Sequence, residues 1–523
     1  MSKHDKILPL ILFAIITLIL IPFINIELFN EDYLVLHWCN PQTFSDCFGD
    51  FHQRITGGPY WRPVVWSSYF VTKYFWRMNG IPYHLTNILV YSSIISMLFV
   101  LYRKIGITAN YAFWGLAVFA LLPGRELNFA WVPGRTDLFA SFFLLLSTYF
   151  YLKSLDKRLW AVPSILAFIL ATLSKEIAFA GAAIPILLLP LKQNDENLRK
   201  YAFFSSLIAL FAVAIVLAYR AIVIGGTPFE TSNFDSISLI WIVANFFIYL
   251  PLSVLNADQL EMLYLELTKL NFRVLIPIFL IILYLSRNIF VLLKTRTPNR
   301  NIFQFGLLWF LVFIVPALPQ LMQWYGFIAY FGLFASFLVV LDDKKFEKAK
   351  FAIALMLVIS LSLYNYSRAE LWSDVAHITN YALTDLAHKI PADADTIYII
   401  AAPDKINRIN SMKIGLQEAI STHLNRKIEV LSPIRCEITK KSQLSIDRFE
   451  NSGLIKINDG YFKMQGTRSS YFGNNEKLEY EDAFAKFSIK NDKSLNSKLE
   501  FTLKTYMTTV FIFNGERFIN WKN

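Results

Sequence analysis

The sequence predicts a polytopic α-helical membrane protein that ends in an α/β domain outside the membrane. The chain of 523 residues is 55% hydrophobic and only 17% charged, and its mean hydropathy of +0.43 lies outside the range of soluble globular proteins. Several apolar runs reach the roughly 20 residues that a helix needs to cross a bilayer. After about residue 370 these long runs end and charged residues become frequent.

The first apolar run, 7–26, has the basic flanks Lys3 and Lys6, which a secretory signal peptide would also have. No small-residue cleavage site follows it, and the chain continues through the polar residues Asn25 and Glu27. We therefore expect this run to be an uncleaved first span.

Clusters of Lys and Arg predict the topology, because short basic loops stay in the cytoplasm. The net charge of +11 falls largely in these loops, so it does not indicate a nucleic-acid partner. The clusters are Lys3/Lys6, Arg103-Lys104, Lys153/Lys157/Arg158, Lys192/Arg199/Lys200, 287–300 and 344–350. The predicted spans lie near 7–26, 83–101, 111–123, 135–152, 159–173, 177–191, 201–222, 273–287, 303–320, 328–341 and 351–366. Eleven spans place the N terminus inside and the tail outside.

The apolar segment 237–255 does not fit this count, because a further span there would turn the basic loop at 287–300 outward. Pro251 and the polar residues Asn256 and Asp258 suit a helix that lies at the outer interface. A re-entrant hairpin would also preserve the charge pattern.

The domain boundary predicted from composition lies near residue 370. A membrane domain, 1–370, would carry a first outer loop at 27–82, and 371–523 would form the extracytoplasmic α/β domain. Residue patterns in this tail predict strands at 396–401 and 427–431, an amphipathic helix at 411–425, and hairpins within 453–466 and 510–521. The two hairpins are predicted by Asn458-Asp459-Gly460 and Asn514-Gly515.

The cysteines agree with this orientation. Cys39 and Cys47 both lie in the first outer loop, with seven residues between them. That spacing can close a small disulfide in an oxidising compartment, and two free thiols are the alternative. No Cys and His residues have zinc spacing, so we predict no metal site.

The acidic pair Glu31-Asp32 opens the first outer loop, a few residues after the first span. A carboxylate in this position lies near the water interface, at the mouth of whatever the helices enclose. It can accept a proton from a substrate in water while it faces the lipid that delivers another substrate. The alternative is an ordinary solvated loop charge.

Motifs along about residues 1–375 resemble those of the GT-C class of membrane glycosyltransferases. They are most similar to the branch of protein O-mannosyltransferases and their transmembrane-and-TPR relatives. The motifs are Tyr60-Trp61-Arg62-Pro63, Asn79-Gly80-Ile81-Pro82-Tyr83-His84-Leu85-Thr86-Asn87, PGRELNFAWVPGRTDL at 123–138, Ser174-Lys175-Glu176, and Arg368 with Trp372. Each motif alone is weak, but their order within the hydrophobic framework is fairly specific.

The resemblance implies transfer of a sugar from a polyprenyl-phosphate carrier to an acceptor hydroxyl outside the cytoplasm. The family's base is an acidic residue early in the first outer loop, which corresponds here to Asp32, with Glu31 as the neighbour that could substitute. Negative charge accumulates on the leaving phosphate and needs cations nearby. Arg62, Arg135 and Lys175 map to outer loops and are the candidates.

Several of these residues also have a structural interpretation. Asp137, at a helix start, can complement the helix N-terminus. Lys175 and Glu176 can form an ion pair that anchors two helix ends. His84 and Asn87 share one helical face, and a polar pair within the membrane more often makes helix-to-helix hydrogen bonds than it performs catalysis.

Two departures from the family pattern concern the site. The family's second carboxylate stands four residues after the proline, but here Glu126 is three after Pro123 and Leu127 takes the usual position. Either Glu126 still serves or this carboxylate is absent. The late outer loop keeps Tyr325 but lacks the arginine of the family's arginine–tyrosine element, which leaves donor phosphate recognition and the sugar open.

The acceptor is predicted from a second resemblance. A chain rich in Ile, Phe, Asn and Lys, with a compact outer domain, resembles the serotype-converting glucosyltransferases of phages and enteric bacteria. These enzymes glucosylate lipopolysaccharide O-antigen from undecaprenyl-phosphate glucose, and the tail would then bind polysaccharide. We therefore expect a hexosyltransferase at the periplasmic face of the bacterial inner membrane. A protein, another envelope glycan or lipid A is the alternative acceptor.

We predict no cofactor, although some relatives need a divalent ion near the phosphate. A transporter or flippase of lipid-linked glycans is the rival function. It would place polar residues deep within several spans, whereas the distinctive polar residues here crowd the outer loops.

Overall fold

The apolar runs form helices, which satisfy their backbone hydrogen bonds within each segment, as a chain that crosses a membrane would have to do. A computed structural model of the chain describes residues 3–38, 43–49, 60–191, 196–224, 238–268, 272–295, 297–342, 347–449, 451–465, 477–491, 497–504 and 509–521. Among these residues, six helices are long and apolar enough to cross a membrane: Lys6–Asn25, Gly80–Ile105, Glu196–Ile224, Pro298–Ala317, Gln323–Leu341 and Glu347–Lys389. Shorter apolar helices are Ala109–Leu121, Arg158–Thr172 and Glu176–Leu191. The total of eleven spans stays a prediction.

Each predicted span lies mostly on helical residues. The longer helices are α1 (Lys3–Leu20), α2 (Glu31–Trp38), α3 (Pro63–Trp76), α4 (Gly80–Ile105), α5 (Ala109–Leu121), α6 (Arg135–Ser154), α7 (Ala161–Thr172), α8 (Glu196–Ile224), α9 (Leu239–Leu252), α10 (Ala257–Thr268), α11 (Phe272–Lys294), α12 (Pro298–Ile314), α13 (Phe327–Leu341), α14 (Glu347–Lys389) and α15 (Leu416–Leu424). Short helices connect them at Ile21–Asn25, Phe44–Phe48, Glu126–Phe129, Val132–Gly134, Arg158–Trp160, Glu176–Ala183, Ile184–Leu187, Leu189–Leu191, Val315–Ala317 and Gln323–Gly326. The first outer loop is therefore partly helical.

The ambiguous apolar segment forms α9, which is followed by α10 at a bend of 102°. Pro251 lies inside α9 near its C-terminal end, and the Asn256 side chain accepts a hydrogen bond from the Gln259 N–H at 2.8 Å, as an N-cap of α10. Asn245 also donates to the Leu318 carbonyl at 2.7 Å, which ties α9 to the residue after the short helix Val315–Ala317. A bend of this size fits a broken span or a re-entrant hairpin.

Contacts divide the chain into two units. The first comprises Met1–Ile24, Pro41–Trp76 and Pro82–Ser367, and the second comprises Asn25–Asn40, Arg77–Ile81 and Arg368–Asn523. The start of the first outer loop, including α2, thus packs with the tail. Composition could not predict this association, because the two segments are more than 300 residues apart in the chain.

The tail contains two sheets. Their strands are β1 (Thr396–Ile400), β2 (Ala402–Ile406), β3 (Ile409–Asn410), β4 (Glu429–Leu431), β5 (Ile434–Phe449), β6 (Ser452–Met464), β7 (Lys477–Glu481), β8 (Ala485–Asn491), β9 (Ser497–Leu503), β10 (Val510–Phe513) and β11 (Phe518–Asn520). One sheet has the order β11-β10-β1-β4, with β1 parallel to both of its neighbours. The other has the order β3-β2-β5-β6-β9-β8-β7 and is antiparallel except between β2 and β5.

The predicted strands at 396–401 and 427–431 correspond to β1 and β4, and the hairpin predicted around Asn514-Gly515 joins β10 to β11. The predicted helix 411–425 is shorter, because α15 begins only after Gly415, which has a left-handed conformation. The strand pattern of β1 is buried almost throughout, as is typical of a strand between two parallel neighbours.

The hairpin predicted at Asn458-Asp459-Gly460 is wrong, because β6 continues through these residues. The pairing of β5 with β6 shifts register between Ile438 and Gln443, and Asp459 takes a φ of +60° opposite that shift. The Thr439 hydroxyl donates to the Asp459 carboxylate at 2.7 Å. The turn-forming triplet therefore makes a bulge within a long strand pair.

The bend between α9 and α10 leads to a testable topology. If 239–268 enters and leaves the membrane on one side, the loop before α12 is cytoplasmic. A Thr297→Cys variant in spheroplasts should then react with a membrane-impermeant maleimide only after permeabilisation, whereas Asn514→Cys in the tail should react at once. Wild-type protein gives the background from its own cysteines. Labelling of Thr297→Cys in intact spheroplasts would show instead that 239–268 crosses the membrane once.

Candidate functional site

The breaks between helices of the first unit bring together four charged side chains and a tyrosine, which we call the ionic cluster. Arg62 directly precedes α3, and Asp137 lies in the first turn of α6. Lys175 and Glu176 lie at the break after α7, and Tyr325 belongs to the short helix Gln323–Gly326. All five residues were predicted from the sequence as site candidates, from four different loops.

The inner part of the ionic cluster is a buried ion pair. Lys175 Nζ lies 2.6 Å and 2.7 Å from the two carboxylate oxygens of Asp137, and these side chains are only 7% and 2% exposed. The same ammonium lies 4.3 Å from the centre of the Tyr325 ring. Burial lowers the pKa of Lys175 because it disfavours the ammonium, and the attraction of Asp137 opposes this shift only in part. The pair therefore has to stay together to remain charged.

The outer part of the ionic cluster is an ion pair that is only partly buried. Arg62 donates through both its Nη2 and its Nε to one oxygen of Glu176, at 2.9 Å and 3.3 Å. The two side chains are 15% and 30% exposed. Burial acts to lower the pKa of Arg62, but the Glu176 carboxylate more than offsets this and the pKa is raised. Arg62 is thus a permanent cation at an accessible position.

A further cation was not singled out from the sequence. Arg220 lies near the end of α8, is 4% exposed and interacts electrostatically with both Arg62 and Glu176. Trp61 packs against the same end of α8, with its ring 5.4 Å from that of Tyr219. A signal was available, because an arginine inside a membrane-length apolar helix is by itself a candidate for a functional site.

Arg135 makes its described hydrogen bonds within the helix bundle. Its guanidinium donates to Asn87 at 2.9 Å and to the Tyr83 carbonyl at 3.0 Å, and it lies 4.6 Å from the Tyr69 ring centre. The residue is fully buried. These contacts fix the start of α6 against α3 and α4, so they favour a structural role over the phosphate-binding role predicted from the motif.

Asn87 has the helix-to-helix role that the sequence favoured. Its amide donates to the carbonyls of Trp131 and Val132 at 3.2 Å and 3.3 Å, which anchors the turn that precedes α6. Gly134 completes this turn, since a Cβ there would lie 2.4 Å from the Asn128 carbonyl oxygen. His84, predicted as a binding residue, is fully buried on the same helix.

Glu126 begins the short helix Glu126–Phe129 and is 1% exposed. Its neighbour Arg125 lies between two rings, 4.6 Å from that of Phe119 and 4.8 Å from that of Tyr330, and donates to the Ser253 carbonyl. The buried residues Arg125 and Glu126 thus hold the turn before α6 in place. Glu126 is as buried as Asp32, and its role as the second carboxylate stays a prediction.

Glu31 and Asp32 belong to the second unit. Asp32 is 1% exposed, and its carboxylate accepts a hydrogen bond from the Phe29 N–H at 3.1 Å. The interpretation of Asp32 as a solvated loop charge is therefore wrong. Glu31 is partly exposed in the first turn of α2.

Burial raises the pKa of the adjacent Tyr33, and the negative charge of Asp32 adds to this shift. The Tyr33 hydroxyl donates to Asn380 at 2.7 Å. The phenol thus stays protonated, and its hydrogen bond fixes the first turn of α2.

The predicted disulfide cannot be traced, because Cys39 lies outside the described residues; Cys47 is buried in the short helix Phe44–Phe48. Within the part of the chain that the structure describes, no three His, Cys, Asp or Glu side chains group as metal ligands would.

No protein-family model matches the chain, and no curated protein matches it either.

The buried ion pair leads to a prediction on stability. In Asp137→Asn the Lys175 ammonium loses its counter-ion while still buried, which should cost about 3–5 kcal/mol. The double variant Asp137→Asn/Lys175→Met removes both charges and should recover most of that loss. Thermal unfolding of purified protein in detergent measures both effects.

The control is Lys200→Met, which breaks an exposed ion pair in which the Lys200 side chain is 65% and the Glu196 side chain 79% exposed. An exposed pair contributes about 0–1 kcal/mol, so this control should unfold close to wild type. Asp137→Asn with the thermal stability of Lys200→Met would mean that the buried pair is not a stabilising constraint.

Proposed function

We propose that the protein is a membrane glycosyltransferase of the GT-C type. It transfers a hexose, glucose in the preferred case, from an undecaprenyl-phosphate carrier to a hydroxyl of a cell-surface polysaccharide such as O-antigen. The reaction takes place at the periplasmic face of the bacterial inner membrane. The ionic cluster is the observation that carries the proposal, because it joins residues of four motifs that the glycosyltransferase resemblance had singled out independently.

The chemistry requires a base and a cation. The acceptor hydroxyl attacks the anomeric carbon of the sugar, the base takes the hydroxyl proton, and the bond from that carbon to the phosphate oxygen breaks. The carrier leaves as a phosphate monoester with one more negative charge than the donor phosphodiester had. A cation placed beside this phosphate stabilises the transition state more than the ground state.

Arg62 is the proposed phosphate ligand. Its guanidinium is partly exposed and donates through two nitrogens to one oxygen of Glu176. A phosphate in place of this carboxylate can accept the same two hydrogen bonds. Arg220 adds a second positive charge near this position. Lys175, by contrast, is neutralised by Asp137 and serves in the proposal to hold the break after α7 in place.

Asp32 is the proposed base, with Glu31 as the alternative. Both carboxylates precede Tyr33, whose hydroxyl is hydrogen-bonded in place. A positioned base contributes roughly 10²–10⁴-fold to the rate of such a transfer.

A transporter or flippase of lipid-linked glycans is the alternative function. The observation that favours it is the buried charge of Arg220 inside an apolar helix, since transporters place charges within spans. Transfer to a protein acceptor, as in O-mannosylation, would be the same type of reaction as the preferred function. It would differ only in the substrates.

Asp32→Asn tests the base. Purified protein in nanodiscs is assayed with undecaprenyl-phosphate glucose and O-antigen, with a mannose donor and a peptide acceptor in parallel. The rate constant kcat should fall at least about a hundredfold with little change in donor KM. Asp46→Asn, the same change elsewhere in the first outer loop, is the matched control and should be fully active.

The outcomes separate the alternatives. Loss of activity in Glu31→Gln with activity kept in Asp32→Asn would move the base to Glu31. Full activity in both folded variants would contradict the mechanism. Turnover of the mannose donor or the peptide alone would replace the substrate, and transport of the lipid-linked donor without transfer would favour the flippase.

Arg62→Gln tests the phosphate ligand. A hydrogen bond to a charged group contributes about 1.5–3 kcal/mol, so donor KM should rise about ten- to a hundredfold. Arg62→Lys should lose less, because it keeps the charge but not the bidentate geometry. Lys200→Gln, an exposed cation on α8, is the control. An unchanged donor KM in Arg62→Gln would exclude Arg62 from donor binding.

A further inference from the structure

The start of the first outer loop is attached to the tail through backbone contacts that depend on two residues. Asn30 has a φ of +51°, and its side-chain oxygen accepts a hydrogen bond from the Ile414 N–H at 3.1 Å. Gly415 has a φ of +78°, and a Cβ on it would lie 2.9 Å from the Asn30 carbonyl oxygen and 3.1 Å from Leu34 Cβ. Only glycine combines this backbone conformation with so close an approach. The two backbones are therefore fitted to each other immediately before Asp32.

Side chains of the tail hold the same segment from other directions. Helix α15 packs on α2, and the ring of His423 lies 5.6 Å from that of Tyr33. Asn380 on α14 accepts from the Tyr33 hydroxyl and donates to the Leu28 carbonyl at 2.9 Å. The rings of Phe29 and Trp372 pack edge to face at 5.9 Å. Residues 28–34 thus contact α14, α15 and the loop between β3 and α15.

Loop 411–415 is also hydrogen-bonded to β5 and to α14. The Arg435 guanidinium on β5 donates to the Met412 carbonyl at 3.2 Å. The hydroxyls of Ser411 and Thr379 are 2.6 Å apart, which joins the loop to α14. Both Ser411 and Thr379 are fully buried. The loop is therefore fixed on the side away from Asn30 as well.

Arg435 belongs to a buried ionic network on one face of the larger sheet. Lys463 lies 2.7 Å from Asp404 and 2.9 Å from Glu437, and Arg435 lies 3.8 Å from Asp404. All four side chains are at most 7% exposed. A buried network of this kind contributes little to stability over apolar packing, so a gain in conformational specificity is the better reason to keep it. Here the group that it orients is the guanidinium under loop 411–415.

We propose that the tail, through loop 411–415 and Gly415 in particular, fixes the position of the Asp32 carboxylate. Gly415 and Asn30 are positioning residues, and the tail is part of the machinery that places the base in addition to any acceptor that it binds. The catalytic consequence rests on the proposed function. The structural consequence does not, because the contacts from Asn30 to Gly415 are independent of any substrate.

The matched pair Gly415→Ala and Gly515→Ala tests this. Both glycines have a positive φ, of +78° and +107°, so both variants carry a similar backbone strain. At Gly515 the new methyl group would meet only Leu444 Cδ1, at 3.5 Å, whereas at Gly415 it would press on α2. Hydrogen exchange of residues 28–38 should rise in Gly415→Ala and stay at the wild-type level in Gly515→Ala.

Activity gives the second measurement. A displacement of about 1 Å at a catalytic group costs roughly a hundredfold in rate, so kcat should fall about ten- to a hundredfold in Gly415→Ala with donor KM unchanged. Gly515→Ala should keep the wild-type kcat.

Variants of Asn30 test the same contact by rescue. Asn30→Gly keeps the positive φ but removes the acceptor for the Ile414 N–H, and should lower kcat. Asn30→Asp keeps both features and should retain most of the wild-type kcat.

Unchanged hydrogen exchange of residues 28–38 in Gly415→Ala would overturn the proposal, and so would raised exchange with wild-type kcat. Raised exchange in a protein whose wild type transfers no sugar would support the positioning of Asp32 and reject the proposed function.

Discussion

The ion pair between Lys175 and Asp137 is the interaction on which the candidate site depends. A lysine and an aspartate with so little exposure are costly to bury, and they remain charged only as partners. The pair joins the break after α7 to the first turn of α6 and brings Lys175 onto the face of the Tyr325 ring. Because Lys175 is fixed, the next residue, Glu176, faces Arg62. One buried contact thereby determines where the accessible pair lies.

The same cost of burial separates structural from chemical roles among the arginines. Arg135 is fully buried and bonded to the bundle, and Arg125 is enclosed by aromatic rings. Cations held in this way are not available to a phosphate without leaving their own partners unsatisfied. Arg62 has one carboxylate partner and remains partly exposed. Sequence motifs could not make this distinction between Arg62 and Arg135, since the resemblance to the family implies a phosphate-binding role for both.

Prediction from sequence succeeded where the signal was local or followed from topology. Apolar runs gave the helices, and the charge pattern grouped Arg62, Lys175, Glu176 and Tyr325 in loops of one side, which the structure brings together. It failed where a distant partner decides. Asn458-Asp459-Gly460 suits a turn as well as a bulge, and only the register of β5 excludes the turn. Arg220 was missed because a single arginine near its end leaves α8 apolar enough to be predicted as an ordinary span.

The packing of α2 with the tail would meet a requirement of the proposed chemistry. A base on a mobile loop would spend most of its time out of line with the acceptor hydroxyl, and this loss of orientation is large in free energy. An isolated helix as short as α2 is marginal in water, so α2 depends on its packing for its structure. The tail provides that packing through Gly415, Asn380 and His423. The tail was predicted only to bind polysaccharide. It is therefore also required to order the segment that carries Asp32.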